Sequence, residues 1–149
     1  MSDFIVFGGI NMDLFAYLPR SPEEGETIEA NSIEFFLGGK GANQAVALAR
    51  LGAKVNFVGT VGKDLFGRDL ESLIKREKVN IKNLSRKKGQ SGVALINVLR
   101  DGRNEVVAFP GINKNSKSKQ VSNKELEACS IVIGTMELEE VETSDLFKR

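Results

Sequence analysis

Apolar residues fall along this chain in two rhythms. "FIVFGGI" (Phe4–Ile10) and "KVNFVGTVG" (Lys54–Gly62) are nearly continuous, the pattern of strands buried on both faces of a parallel sheet, and "SIVIGTM" (Ser130–Met136) adds a last apolar strand. Between them the period lengthens. Ala42, Ala45, Val46 and Ala49 recur at i, i+3, i+4 and i+7, one face of a helix over Gly41–Leu51 with Gly52 as its C′ residue. Phe66, Leu70, Leu73 and Ile74 draw a second helical stripe that Asp64 can open and that ends near Glu77 and Lys78. "VNIKNLSR" alternates as a further strand, and "SNKELEAC" reads as a short helix capped by Ser122.

Two segments alternate with period two around turn residues. "NMDLFAYLPRSPEEGETIEANSIEFFL" predicts two short strands joined through a proline-glycine turn. "SGVALINVLRDGRNEVVAFPG" (Ser91–Gly111) predicts a hairpin around Asp101-Gly102, where the turn needs positive φ. The order strand, hairpin, helix, strand, helix, strand, hairpin, helix, strand implies a parallel α/β core with β additions. The helices supply the long crossovers that parallel strands need. A doubly wound sheet usually continues beyond this point, so the chain reads as a first half.

At 149 residues the chain reads as one domain or one piece of a larger one. Its 21 Lys+Arg against 20 Asp+Glu give a net charge of +1, which offers no electrostatic argument for nucleic acid or an anionic membrane. The basic clusters "SRKKG" and "KNSKSK" read as solvated loops. Cys129 is the one cysteine and there is no histidine. An intrachain disulfide is therefore impossible, and a lone thiol suits a reducing cytoplasm. Histidine acid–base chemistry and a Ser-His-Asp triad are excluded within the chain, and zinc has few ligands to draw on. "MSDFIVFGG" lacks the basic start and apolar run of a signal peptide, and no apolar stretch approaches the roughly 18 residues of a membrane span.

Candidate chemistry gathers in "EFFLGGKGANQAVALARLGAKVNFVGTVGKDLFG" (Glu34–Gly67), which brackets one small-residue helix with seven glycines. They serve tight turns, or they let backbone N–H groups at a helix start approach a polar ligand. The common phosphate motifs do not fit. Lys40 and Lys63 are followed by Gly41 and Asp64 where a Walker loop needs Ser or Thr, and a dinucleotide fingerprint starting at Gly39 meets Gln44 in place of its last small residue.

The full spacing, G-G-K-G-A-N-Q-A, six residues, Gly52, nine residues, Gly62, resembles the first signature of the ribokinase-like (PfkB) carbohydrate kinases. "FGGINMDLFAYLPRSPEEGET" resembles the family's opening strand and first lid strands, "SGVALINVLRDGRNEVVAFPGIN" its second lid hairpin, and "IGTMELE" its central strand with an acidic residue. The resemblance covers essentially the whole chain. It implies a three-layer α/β/α parallel sheet, truncated to its N-terminal part, with lid strands at about 14–36 and 91–111. The site residues it implies are for a sugar. Asp13, with Asn11 beside it, matches the position that holds sugar hydroxyls; Gly39 and Lys40 match the backbone along the sugar and Asn43 a side chain that hydrogen-bonds it. Ala94 and Ile96 match lid residues over the sugar, and Glu139 an acidic position of the site. Each has a plainer reading: an Asx turn for Asn11–Asp13, helix-start polar residues for Lys40 and Asn43, strand packing for Ala94 and Ile96. Glu137 or Glu140 can take the place of Glu139, and all three can be surface charges.

The family's second signature resembles D-T-x-G-A-G-D, which carries the catalytic base and a phosphate-holding anion hole, and no segment of this sequence matches it. The resemblance implies ATP and Mg2+ for a complete enzyme and admits a monovalent cation, with none of these expected on this chain alone. Two readings stay open. One is the N-terminal, sugar-binding part of an ATP-dependent kinase for ribose or a similar sugar, cytoplasmic and inactive by itself. The other is a non-catalytic sugar-binding or dimerisation module of the same fold. Expected partners are a small sugar, a C-terminal half or partner chain, and a second copy through the lid.

Overall fold

The computed structural model describes residues 2–149. Two four-stranded sheets organise it. The core sheet is entirely parallel and runs β5-β4-β1-β8, from β1 (Phe4–Phe7), β4 (Val55–Gly62), β5 (Asn80–Lys87) and β8 (Ile131–Gly134). The lid sheet runs β3-β2-β6-β7, from β2 (Asn11–Leu18), β3 (Ser32–Gly38), β6 (Gly92–Leu99) and β7 (Asn104–Phe109). Its central pair β2/β6 is parallel and the two outer pairs are antiparallel.

Alternation along β1 and β4 divides the core into two layers of packing. Val6, Val55, Phe57 and Val61 face α1 (Lys40–Arg50) and α2 (Leu65–Arg76), where they meet Ala42, Ala45, Leu70 and Ile74. Ile5, Phe7 and Val58 face the other way, onto Val121, Leu138 and Leu146, beneath α3 (Asn123–Glu127) and α4 (Glu140–Lys148). Helices therefore cover both faces, the three-layer α/β/α arrangement the sequence implied.

The local signals resolve as their chemistry requires. Asp64 caps α2, its Oδ1 accepting from Gly67 N at 2.8 Å. Ser122 and Glu125 form a capping box on α3. Gly52 takes φ 93° beyond α1 and Gly102 φ 86° in the β6–β7 turn. Three readings need correction. "SRKKG" is not a free loop, because β5 extends through Lys87. "KNSKSK" is not solvated throughout: Ser116 and Ser118 are buried, Ser118 Oγ donates to Asp145, and Lys117 Nζ lies 2.9 Å from Glu142 Oε1. The pairing follows from α4, whose Glu142 and Asp145 present carboxylates to that segment. Finally, β2 and β3 pair antiparallel as expected, but the proline-glycine turn is only part of their connection, which runs over residues 19–31.

Candidate sugar site between core and lid

The two sheets meet where β1 hands over to β2 and where β3 leads into α1. Ligands of open α/β sheets bind beyond the carboxyl ends of the strands, and this junction lies there. Gly39 turns the chain from β3 into α1 at φ 90°, a conformation L side chains rarely adopt, and a Cβ on it would lie 2.7 Å from Gly9 O. At Gly41 a Cβ would fall 2.6 Å from Gly8 Cα. The glycines thus let the first turn of α1 sit directly on the β1–β2 corner.

Strand register sets which side chains share the junction. Asp13 pairs with Phe36 on one side and with Ala94 on the other, and Ala94 pairs with Ala108. Phe36, Asp13, Ala94 and Ala108 therefore form one row on the inner lid face. Phe15 and Ile96 form the next row outward, with the Phe15 ring edge-on to Phe36 at 5.4 Å. A cleft of about 280 Å³ opens beside them, lined by Gly9, Asn11, Lys40, Ala108, Pro110, Asn113 and Glu137.

The polar groups of the junction are unevenly satisfied. Asp13 Oδ1 is buried and makes no hydrogen bond, an expensive state for a carboxylate oxygen. Burial first, and the negative charge of Glu137 second, raise the Asp13 carboxyl above its ordinary value. Glu137 is itself engaged: its Oε1 lies 3.2 Å from Lys40 Nζ and its Oε2 accepts from Gly41 N at 3.3 Å. A carboxylate there complements the positive end of α1. Asn113 is buried and spans the corner, its Oδ1 accepting from Ile10 N and its Nδ2 donating to Ile10 O, both at 3.0 Å.

The structure brings together Asn11, Asp13, Gly39, Lys40 and Ala94 of the residues singled out in the sequence, with Ile96 one row away. Asn43 lies exposed on α1, donates its backbone N–H to Gly39 O, and borders a neighbouring recess with Phe35, Phe36 and Leu73. The carboxylate that reaches the junction from beyond β8 is Glu137, and Glu139 is not among the residues assembled at the corner. Glu139 is exposed and occupies the N-cap position of α4 without a side-chain cap bond. Asn113 and Ala108 were not singled out from sequence. Asn113 carries no local signal beyond a polar residue shortly after Pro110-Gly111, and Ala108 none at all.

Likenesses to known proteins agree with this geometry. Residues 1–135 match the model of the pfkB family of carbohydrate kinases. A ribokinase of Schizosaccharomyces pombe is 38% identical over 147 residues, covering 93% of this chain and 46% of the relative. Among solved structures, a ribokinase of Thermotoga maritima superposes with a TM-score of 0.89 at 29% identity, over 100% of this chain and 50% of that one. A ribokinase of Arabidopsis thaliana, solved with ribose and ATP, gives 0.79 at 29% identity, over 99% and 50%. The chain spans about half the length of the relatives it matches. With the signature glycines serving the corner that the family match covers, the chain belongs to the pfkB family of carbohydrate kinases.

Proposed function

We propose that this chain forms the sugar-binding, N-terminal part of an ATP-dependent carbohydrate kinase acting on a hydroxyl of ribose or a similar sugar. The observation that carries the reading is the buried, unpartnered Oδ1 of Asp13, whose row across the lid sheet reaches the cleft at Ala108. Such an atom is best satisfied by a ligand hydroxyl, which can donate a charge-assisted hydrogen bond. Asn11, Gly39 and Lys40 stand around the same space, Ala94 and Ile96 would cover the sugar from the lid, and Glu137 takes the acidic position that the family resemblance assigned to Glu139. The Arabidopsis relative, solved with ribose and ATP, supports the choice of ligand class.

The chain carries no counterpart of the family's base and anion hole, and phosphoryl transfer rests on positioning and charge stabilisation. On this reading ATP, Mg2+ and any monovalent cation bind with residues beyond these 149, from a C-terminal half or a partner chain, and the working compartment is the cytoplasm. Among the described residues no helix is long and apolar enough to cross a membrane. The lid also favours self-association. Phe35, Leu95 and Val107 lie in one row of its outer face, at 56%, 49% and 68% exposure. A second copy packed lid to lid would cover them.

Calorimetric titration of the chain with D-ribose, together with an ADP-release assay in ATP and Mg2+, tests the proposal. Saturable binding without turnover is expected. Absence of binding to ribose and to other pentoses removes the sugar-site reading, and turnover near about one per second would show that the chain supplies a complete kinase site.

A further inference from the structure

We infer that Asn113 sets the hydrogen-bond polarity of the cleft: it holds Asn11 with its amide NH2 toward the ligand, so that Asn11 acts as a donor beside the acceptor Asp13. The inference rests on the sugar-site reading for its ligand but not for its geometry.

The chain of constraint starts in the backbone. Ile10 N can only donate, so the atom of Asn113 that meets it at 3.0 Å must be Oδ1. Ile10 O and Pro110 O can only accept, so the atom that meets each of them at 3.0 Å must be Nδ2. Backbone groups on both sides thus forbid Asn113 from flipping. The same Nδ2 lies 2.8 Å from one atom of the Asn11 amide; its two hydrogens are shared among three neighbours, and since an amide nitrogen accepts no hydrogen bond the Asn11 atom facing it is Oδ1. Asn11 then has its Nδ2 pointed away from Asn113, and no hydrogen bond from that nitrogen is formed among the described residues. Asn11 and Asn113 both line the cleft.

A second feature keeps the arrangement in place. Gly92 is paired in register with Asn11, and a Cβ at Gly92 would collide with both Asn11 Oδ1 and Asn113 Nδ2. The position accommodates the Asn11–Asn113 bond only as glycine. Lys40 adds a second donor at the rim, and Asp13 Oδ1 an unused buried acceptor in the adjoining inner row. A ligand satisfying both sides must offer oxygens that accept from Asn11 and Lys40 and an O–H that donates to Asp13, which neighbouring hydroxyls of a sugar do. Asn113 is a positioning residue: it acts through Asn11.

Side-chain amide NMR of the 15N-labelled chain tests this without a ligand. In the wild type the Asn113 NH2 should exchange slowly with water and the Asn11 NH2 rapidly. The reverse pattern, or slow exchange at both, overturns the inference. In Asn113→Asp the carboxylate offers only acceptors, so Asn11 should turn and donate inward; its NH2 should become slow. A merely structural role would instead leave the Asn11 NH2 exchanging as fast as in the wild type, and that result also overturns it. If this variant does not fold, the wild-type pattern alone decides. In the ligand arm, added D-ribose should shift the Asn11 NH2 resonances, and Asn113→Asp should weaken ribose at least tenfold. Ribose shifts at Asp13 and Lys40 without a response from the Asn11 NH2 would overturn the donor role while leaving the sugar site standing. Ribose shifts nowhere would sink the sugar reading, with the amide pattern still deciding the lock.

Discussion

The Ser91 hydroxyl donates to Asp64 Oδ1 at 2.6 Å while it accepts from Gly62 N at 2.9 Å. Asp64 Oδ2 also accepts from Ser91 N at 2.8 Å. One carboxylate therefore ties the start of α2 to the base of lid strand β6 and, through the serine, to the end of β4.

Removing that carboxylate should destabilise the fold. Asp64→Ala loses a helix cap and leaves Ser91 N without its acceptor, about 2–4 kcal/mol together, read as a lower urea midpoint. The effect should depend on pH. Burial pushes the Asp64 carboxyl upward, but the hydrogen bonds from Ser91 and Gly67 outweigh it and hold it below the usual 3.8. A depressed acid stabilises above its unfolded value, and that contribution disappears as the pH falls through the folded value. The gap between wild type and Asp64→Ala should therefore be full at neutral pH and shrink below about pH 4. A gap of constant size would assign the loss to packing.

Asp13 should show the opposite balance. Its carboxylate is buried, unpartnered and close to Glu137, so Asp13→Asn removes a cost from the ligand-free fold. Thermal unfolding should show an unchanged or raised Tm, with ribose binding lost in calorimetry. A clear fall in Tm would mean that Asp13 is a structural turn residue.

Binding should also weaken in acid sooner than an ordinary carboxylate would require. A sugar hydroxyl donating to Asp13 needs the ionised form, and burial and Glu137 hold the carboxyl above 3.8 in the free protein. As the pH falls through that raised value, ribose must bind a site that has taken up a proton. Titrations between pH 4 and pH 8 in two buffers of different ionisation heat should show proton release on binding at the acid end. Binding independent of pH across that range would remove the carboxylate from the contact.

Gly41→Ala reverses the usual sign of a helix substitution. Alanine normally favours a helix over glycine by roughly 1 kcal/mol, but here its Cβ would fall 2.6 Å from Gly8 Cα. Forcing the helix off the corner should cost about 1–3 kcal/mol net, measured by urea denaturation. A stabilised variant would show that the close approach of α1 to β1 is not needed.

Val107 tests the lid surface. It is 68% exposed in the outer row, where a second copy is proposed to pack. Light scattering after size exclusion at micromolar concentration should give a dimer of the 16.3 kDa chain and a monomer for Val107→Glu. A wild-type monomer would leave the lid without that partner.

The sequence carried the core far better than the junction. Strands β1 and β4 announce themselves because both of their faces are buried, β8 because its short run is apolar even at the edge of the sheet, and Asp64 and Ser122 because capping is a local matter. Pairing of β2 with β6 was not legible, since it joins residues far apart in the chain. Ser116 and Ser118 looked solvated because their burial depends on α4, a helix whose weak apolar pattern gave no signal. The junction shows the same divide. Asp13 and Gly39 sit in recognisable motifs, whereas Asn113 matters only through backbone groups of Ile10 about a hundred residues away. Glu137 and Glu139 differ by two positions, and only the path of the chain after β8 separates them.

The parallel pairing of β2 and β6 has a consequence for the order of assembly. Asn11 meets Gly92 only after α1, β4, α2 and β5 have been laid down between them. Closing so long a loop is an entropic cost that must be met before the pairing rewards it. β2 and β3 can pair early, and β6 with β7, but the lid becomes one sheet only once β4 has docked beside β1. On refolding, fluorescence of Tyr17, which lies on β2 opposite Val98 of β6, should report a phase slower than the gain of helical signal from α1 and α2. The surface proposed to meet the sugar would then be the last part of the chain to exist.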